Sequence, residues 1–338
     1  MSSSYLQNKP SYCTVSFIVL LPLTLLSLTF LLPFSTYLSN PLAVAAGASD
    51  WAGGTPATTV DDVVRTASPA AAADNGGATQ RRRRPELSIL VGVHTTARKH
   101  SRRHLIRMAY ALQQQQRTAA ARVDVRFVLC ARPMAPELRA FVALEARAHG
   151  DVLLLDCAES ADRGKTYAYF ASLPAMLSSS GAGAGAGAGT YDYVMKVDDD
   201  TFLLLDALVE ALRAAPREDA YCGVGLPFHD RAFPPFMLGM GYLLSWDLVQ
   251  WIATSDMVRR EAIGPEDVTT GKWLNMGNKA KNRVNIFPRM YDYKGPKPED
   301  FLENTVGVHQ LKEDIRWAHT LEHFNLTRLE PSSKLHNF

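Results

Sequence analysis

The sequence predicts an α/β protein built on a central, mostly parallel β-sheet, and three observations lead to this expectation. Short apolar runs and amphipathic helical segments alternate four times in succession. The first run is short and largely apolar, as in buried strands. The fourth run ends in three aspartates, Asp198, Asp199 and Asp200, where a parallel sheet would bind a ligand. Repeated β-then-α units of this kind produce a sheet with helices on both faces.

The four units occupy residues 87 to 214. In the first helical segment Leu105, Ile106 and Ala109 recur at the spacing of one helix face. The predicted elements, in chain order, are strand Leu87–Val93, helix His100–Gln116, strand Val125–Cys130, helix Pro136–His149, strand Asp151–Asp156, helix Lys165–Leu177, the strand that ends at the aspartates, and helix Leu203–Ala214.

The aspartate triplet is the strongest sign of chemistry. Adjacent carboxylates repel one another unless a cation or protons intervene. Oxygen-rich clusters suit Mg²⁺ or Mn²⁺, so the triplet predicts a divalent-metal site. The alternative is a solvated turn whose aspartate caps the helix Leu203–Ala214.

Three later features carry further hypotheses. Ser245 is expected to cap a helix that extends to Thr254. Glu266 and Asp267 stand at a probable helix start, either as functional acids or as first-turn acids favoured by the helix dipole. His309 ends a short apolar run and is either a metal ligand or a structural histidine.

Bulk composition excludes some classes of protein. The 338 residues include 47% hydrophobic and 21% charged residues, which fits a globular protein with a real core. A net charge of +2 gives no overall attraction to nucleic acid, and no nucleic-acid partner is expected. The run Arg81–Arg84 fits a solvated or membrane-proximal segment, with a nuclear-localisation signal as the alternative.

The N-terminal region predicts a membrane anchor. Residues 13–34 carry no charge and are long enough to cross a bilayer as a helix. Lys9 precedes this span, which favours a cytoplasmic tail at 1–12 and an uncleaved signal-anchor. The alternative is a signal peptide cleaved near Ala45. Residues 35–84 lack apolar periodicity and are expected to form a disordered stem, so the folded domain is placed at 85–325 in the secretory lumen, with a C-terminal tail at 326–338.

The cysteines and one sequon agree with a lumenal domain. Cys130 and Cys157 both lie at the ends of predicted strands, so a disulfide between them is feasible in an oxidising lumen. The number of cysteines beyond the membrane segment is odd, so at least one of them, such as Cys222, is free or paired between chains. Asn325 begins an Asn-Leu-Thr acceptor for N-glycosylation.

From about Leu87 to about His309 the chain resembles the β-1,3-galactosyltransferase and N-acetylglucosaminyltransferase family, to which Fringe is related. Five motifs in family order carry the resemblance: Arg103-His-Leu-Ile-Arg107, Lys165-Thr166, Lys196-Val-Asp-Asp-Asp-Thr-Phe202, Phe233-Pro-Pro-Phe-Met-Leu-Gly-Met-Gly-Tyr-Leu-Leu-Ser245 and Glu266-Asp-Val-Thr-Thr-Gly271. The resemblance implies a GT-A type, Rossmann-like fold and a type II Golgi membrane protein. It also implies Mn²⁺-dependent, inverting transfer from a UDP-sugar.

The resemblance also assigns roles. It implies that Asp200, supported by Asp198, binds the metal, and that His309 is the late metal-binding histidine. It selects Asp267, from the Glu266–Asp267 pair, as the catalytic base. The residues implied at the nucleotide-sugar end are Asp199, which would orient the donor, and Arg107 and Lys165, which would bind the uridine and diphosphate.

Two departures from the family limit the assignment of substrates. Glu159–Gly164 replaces the family's stretch before Lys-Thr, and the segment between Leu226 and Pro234 is shorter than usual. The acceptor, a glycan on a glycoprotein or proteoglycan, is therefore left open. UDP-galactose is the favoured donor and UDP-N-acetylglucosamine the alternative. A non-catalytic lumenal glycan-binding protein on the same fold is the competing function.

Overall fold

The computed structural model describes residues 85–116, 121–179, 191–228 and 234–327, all within the unit Ala78–Phe338. The strands in this part of the chain are β1 (Leu87–His94), β2 (Ala121–Arg132), β3 (Val152–Ala158), β4 (Tyr193–Asp198), β5 (Phe202–Leu203), β6 (Ala220–Leu226), β7 (Phe236–Ser245), β8 (Asn282–Asn285), β9 (Met290–Asp292) and β10 (Gly307–His309). The helices are α1 (His100–Gln116), α2 (Pro136–His149), α3 (Lys165–Ser179), α4 (Leu205–Arg213), α5 (Trp246–Thr254), α6 (Asp256–Arg260), α7 (Glu266–Met276) and α8 (Asp314–His323).

The main sheet has seven strands in the order β3-β2-β1-β4-β7-β6-β8. Strands β3, β2, β1 and β4 are parallel to one another, and β7 runs antiparallel to both of its neighbours. The expectation of an α/β fold with a central, mostly parallel sheet is therefore confirmed. A second, three-stranded sheet has the order β5-β10-β9.

Helices cover both faces of the main sheet, as the β-then-α pattern predicts. On β1, Ile89, Val91 and Val93 belong to one hydrophobic core, which also contains residues of α1, α2, α4 and α8. Leu90 points to the other core, which contains residues of α3, α5, α6 and α7. This alternation follows from the two-residue period of a strand.

Two local predictions need correction. The last helix of the four units begins at Leu205 rather than Leu203, because Phe202 and Leu203 form β5 and pair with β10. The aspartate triplet therefore does not cap this helix, whose N-cap residue is Leu204. Ser245 does precede α5, but its hydroxyl accepts a hydrogen bond from the Ala220 backbone N–H instead of capping the helix.

A disulfide joins Cys130 to Cys157, as their positions near the ends of two neighbouring strands suggest. Cys222 is a buried free thiol. The bond links the carboxyl ends of β2 and β3, close to Glu159, which accepts a hydrogen bond from the Cys130 backbone N–H.

The predicted cytoplasmic tail at 1–12, membrane span at 13–34 and stem at 35–84 lie outside the described residues, as does the chain beyond residue 327. No helix within the described ranges is long and apolar enough to cross a membrane. Asn325, the predicted glycosylation site, is exposed just after α8, and its modification stays a prediction.

Candidate active site

The predicted metal ligands meet at the carboxyl end of β4. Asp198 is the last residue of β4, and Asp200 lies in the turn before β5. Since β10 pairs with β5, it brings His309 to the same place. The His309 Nε2 lies 3.4 Å from an Asp200 oxygen and 4.0 Å from an Asp198 oxygen. One ligand atom from each of the three residues lies within 4.8 Å of the others. Asp198, Asp200 and His309, called the edge group below, could therefore hold one ion.

The imidazole of His309 is held in place from behind. Strand β9 runs beside β10 with Asp292 opposite His309, and the His309 Nδ1 lies 2.7 Å from an Asp292 oxygen. Burial opposes the charged imidazole, but hydrogen bonds with Asp200 and Asp292 outweigh burial and raise the pKa of His309. Burial would likewise raise the pKa of Asp200, but the contact with His309 lowers it overall. The edge group is thus pre-arranged by its own charges.

Asp199 does not join the edge group. Its side chain is buried, and one oxygen accepts a hydrogen bond of 2.7 Å from Lys99, just before α1. The other oxygen has no partner among the described residues. An unsatisfied buried carboxylate oxygen is costly and leaves a position open for a ligand's hydrogen-bond donor.

Lys165 lies at the same edge, at the start of α3. Its ammonium donates to the Thr95 carbonyl oxygen at 2.6 Å and forms an ion pair with Glu159. Glu159 also accepts a hydrogen bond from the backbone N–H of the disulfide residue Cys130. Burial is the main cause that lowers the pKa of Lys165, although Glu159 opposes this change. Glu159, in the segment that departs from the family, thus holds Lys165 in position.

Several buried polar atoms near Lys165 lack partners. Within the described residues, six buried side-chain nitrogen or oxygen atoms have no hydrogen-bond partner, and four of them are at this edge. These four are His94 Nε2, Thr95 Oγ1, Thr166 Oγ1 and the free oxygen of Asp199. Such a concentration of unsatisfied groups is typical of a polar binding site rather than of a core.

The structure does not bring Arg107 to this edge. Its guanidinium donates to Asp151 at 2.7 Å and to Glu145 at 2.8 Å, and it packs over the ring of Phe127. Asp151 directly precedes β3, which is three strands from β4, or about 14 Å at the usual strand spacing. The other arginine of the motif, Arg103, is fully buried and also pairs with Glu145. This part of the motif joins α1 to α2.

Glu266 and Asp267 begin α7, as predicted, but their environments differ. The Glu266 side chain is 11% exposed, and its two oxygens accept hydrogen bonds from Lys196 at 2.5 Å and from the Tyr242 hydroxyl at 2.8 Å. Burial raises the pKa of Glu266, and Lys196 only partly offsets this rise. Asp267 is half-buried, and one of its oxygens lies 3.3 Å from the Gly239 backbone N–H. Asp267 is therefore the member of the pair that a substrate could reach.

The sequence did not single out three residues that organise this edge. Lys196 was noted only as part of a motif, although its buried ammonium contacts Asp198 at 2.8 Å. Asp292 lies in a three-residue strand without a recognisable motif. Lys99 belongs to none of the five motifs and lies just before α1. A charged residue inside an apolar strand, such as Lys196 in β4, was the one available signal.

The protein has a mixed α/β fold with an acidic, histidine-containing group at the carboxyl edge of its sheet. Comparison with known proteins shows that its class is the glycosyltransferases. A family profile described as galactosyltransferase matches residues 101–226. Mouse beta-1,3-galactosyltransferase 6 is 30% identical over 248 residues, which cover 65% of this chain and 73% of that protein. Beta-1,3-galactosyltransferase pvg3 of Schizosaccharomyces pombe is 27% identical over 274 residues, covering 66% and 71%.

Among solved structures, galactosyltransferase LgtC in complex with donor and acceptor sugar analogues is 12% identical and covers 72% of this chain and 98% of its own. Its TM-score of 0.39 is too low to establish a common fold by itself. The sequence relatives are sufficient. The chain belongs to the β-1,3-galactosyltransferase family, and it is a hexosyltransferase.

Proposed function

We propose that this protein transfers galactose from UDP-galactose to a glycan hydroxyl in β-1,3 linkage, with inversion and with Mn²⁺ as its cofactor. The observation that carries the proposal is the edge group of Asp198, Asp200 and His309, with Asp267 linked to it through Lys196 and Gly239. The proposed fold type is GT-A.

The edge group fits a divalent ion. Two carboxylates and one imidazole provide mainly oxygen ligands. Such a ligand set suits Mn²⁺ better than it suits softer metals. When bound, the ion supplies Lewis-acid neutralisation of the charge that develops on a departing diphosphate. Asp198, Asp200 and His309 would hold it, and Asp292 would keep the imidazole directed toward it.

The polar groups beside the edge group suit the nucleotide half of the donor. Lys165 provides a positive charge next to the buried hydroxyls of Thr95 and Thr166. Asp199, with one unpaired oxygen, can accept a hydrogen bond from a sugar or ribose hydroxyl. Arg107 has no part in this proposal, because its charge is already matched by Asp151 and Glu145.

Asp267 is the proposed general base. Inversion by a single displacement requires a carboxylate that accepts the proton of the attacking hydroxyl. Glu266 is mostly buried beneath Lys196 and Tyr242, so it cannot reach an acceptor without breaking those contacts. Asp267 is half-buried and has one oxygen bonded only to its neighbouring Val268 N–H and the other at 3.3 Å from Gly239. We therefore assign the proton transfer to Asp267, with Glu266 in support.

The proposed location is the Golgi lumen, with residues 13–34 as the anchor of a single-pass type II membrane protein. The uncharged length of that segment and the disulfide between Cys130 and Cys157 support this location. The proposed acceptor is a glycan on a glycoprotein or proteoglycan. The mouse and Schizosaccharomyces pombe relatives are named as beta-1,3-galactosyltransferases, which supports galactose as the transferred sugar.

The test is release of UDP by the purified full chain, measured with UDP-galactose, UDP-N-acetylglucosamine and a panel of glycan acceptors. We expect turnover with UDP-galactose that requires Mn²⁺ and stops when a chelator is added. Asp200→Asn should abolish turnover, while Asp156→Asn, an exposed acid paired with Arg132, serves as the matched control. Turnover with UDP-N-acetylglucosamine alone would replace the donor, and glycan binding without UDP release from any donor would contradict catalysis.

A further inference from the structure

Lys196 is the most deeply buried charge at the carboxyl edge of the sheet. It lies on β4, two residues before Asp198, and its side chain is 2% exposed. Its ammonium donates three hydrogen bonds, to Asp198 at 2.8 Å, to the Gly239 carbonyl oxygen at 2.6 Å and to Glu266 at 2.5 Å. An ammonium has three protons to donate, so these bonds use its full capacity.

The three partners of Lys196 belong to the two halves of the proposed site. Asp198 is part of the edge group that would hold the metal. Glu266 is the first residue of α7, and Asp267, the proposed base, is the next. Gly239 on β7 contacts both sides, since its carbonyl oxygen accepts from Lys196 and its N–H faces Asp267 at 3.3 Å. One ammonium therefore joins β4, β7 and the start of α7.

We propose that Lys196 is a positioning residue that fixes the placement of the proposed base Asp267 relative to the metal-binding carboxylates. This inference rests on the proposed function. Lys196 does not reach the substrate, because it is buried, and it acts through Asp198, Gly239 and Glu266.

Stability alone gives a poor reason for this arrangement. Burying a lysine and a glutamate costs desolvation energy, and replacing such pairs with apolar residues is often neutral or stabilising. The neighbouring residues Val194, Met195 and Val197 show that β4 accepts apolar side chains at its other positions. Geometry, by contrast, matters greatly at a reacting centre, where a displacement of about 1 Å costs roughly 100-fold in rate.

The experiment compares four variants of the full chain with the wild type, the fourth being Lys196→Arg. Lys196→Met alone would leave Glu266 charged and mostly buried, so the main variant is Lys196→Met combined with Glu266→Gln. Glu266→Gln alone serves as its reference, because a glutamine oxygen can still accept from Lys196. Asp192→Ala is the matched stability control: Asp192 is a buried charge just before the start of β4, about 20 Å from Asp198 by strand length.

Three measurements are made on each variant. The first is the Mn²⁺ affinity in the absence of donor, from electron paramagnetic resonance of the free ion. The second is the thermal midpoint of unfolding, and the third is kcat and KM at saturating Mn²⁺. Relative to Glu266→Gln, the double variant should bind Mn²⁺ about tenfold more weakly, because Asp198 loses its support. Its kcat should fall about 100-fold, from the displaced base. Asp192→Ala should lower the thermal midpoint while the folded protein retains its kcat.

Lys196→Arg keeps the positive charge and the hydrogen-bond donors and leaves no acid uncompensated. Its Mn²⁺ affinity should therefore be close to that of the wild type, with most of the loss seen in the double variant absent. The inference is overturned if the double variant matches Glu266→Gln in both Mn²⁺ affinity and kcat, since Lys196 would then only contribute to folding. That result leaves the proposed function intact. If instead the wild-type chain neither binds Mn²⁺ nor transfers a sugar, the proposed function itself fails.

Discussion

The charged cluster between α1 and α2 and the charged cluster at the end of β4 contain similar residues but differ in how their charges are matched. In the helix cluster, Arg103 and Arg107 face Glu145 and Asp151, and each carboxylate receives at least two hydrogen bonds from guanidinium groups. At the end of β4, Asp198, Asp200 and Glu266 share one lysine and one histidine.

The difference teaches how a structural charge cluster can be told from a functional one. In the helix cluster the protein supplies every partner, so no ligand is needed to complete it. The β4 cluster has an excess of acids and lies beside buried oxygen atoms without partners, such as the free oxygen of Asp199. A cluster that is incomplete without a cation and a polar ligand is poised to bind them.

Among the variants that leave the metal ligands intact, the largest expected effect follows from Asp267→Asn, next to Glu266 of the β4 cluster. The amide keeps the shape of the side chain but cannot accept the acceptor's proton, so kcat should fall by about 10²–10⁴-fold, the usual contribution of a general base. Mn²⁺ and UDP binding, measured by calorimetry, should stay near wild type. Full turnover in this variant would show that Asp267 is not the general base, and the different environments of Glu266 and Asp267 would then have no catalytic meaning.

In the helix cluster, Arg103→Met should act on stability instead. Arg103 is 1% exposed, and its loss leaves Glu145 partly unpaired in the interior. Breaking a buried ion pair typically costs about 3–5 kcal/mol in free energy of unfolding, which denaturant titration measures. The protein that remains folded should transfer sugar at the wild-type kcat. A lower kcat at full folding would show that the two clusters are coupled.

Asp292→Ala tests the support behind the metal ligands. Asp292 holds the imidazole of His309 at 2.7 Å, and loss of such a supporting group commonly lowers metal affinity about 10–100-fold. The Mn²⁺ dissociation constant, measured by titration of the donor-free protein, should rise accordingly while the thermal midpoint changes little. An unchanged dissociation constant would mean that β9 does not serve the edge group.

The smallest effect concerns acid stability and again separates the clusters. Burial would raise the pKa of Glu145, but hydrogen bonds from Arg103 and Arg107 lower it to about 2. A carboxyl group whose pKa is lower in the folded than in the unfolded chain stabilises the fold when the pH is above the unfolded-state pKa. This stabilisation is lost as the pH falls from about 5 toward 2. Glu145→Gln should therefore show a shallower decrease in unfolding free energy over that range. An unchanged slope would mean that Glu145 carries no acid-linked stability.

The sequence predicted the parallel half of the sheet well, because its strands are apolar and its helices amphipathic. Helices α1 and α2 have the predicted bounds. The order of the sheet beyond β4, with β7 inserted antiparallel between β4 and β6, has no periodic signal and depends on long-range pairing. In that half the sequence offers motifs instead of periodicity.

The candidate site divides in the same way. Asp198, Asp200 and His309 were predicted together and do meet, although His309 is over a hundred residues away along the chain. The resemblance implies that Arg107 binds the nucleotide, but a sequence cannot show that Asp151 and Glu145 already occupy its guanidinium. The separate environments of Glu266 and Asp267 depend on Tyr242 and Gly239, which only the folded chain brings near.

Gly239 gives this family of sequences a practical marker. An added Cβ would lie 2.6 Å from a Glu266 oxygen and 3.6 Å from an Asp267 oxygen, so even alanine would crowd that glutamate. Homologues that retain the aspartate triplet but carry a larger residue at this position should be poor candidates for activity screens. The absence of a side chain at residue 239 thus preserves the room in which the Glu266 carboxylate meets the Lys196 ammonium.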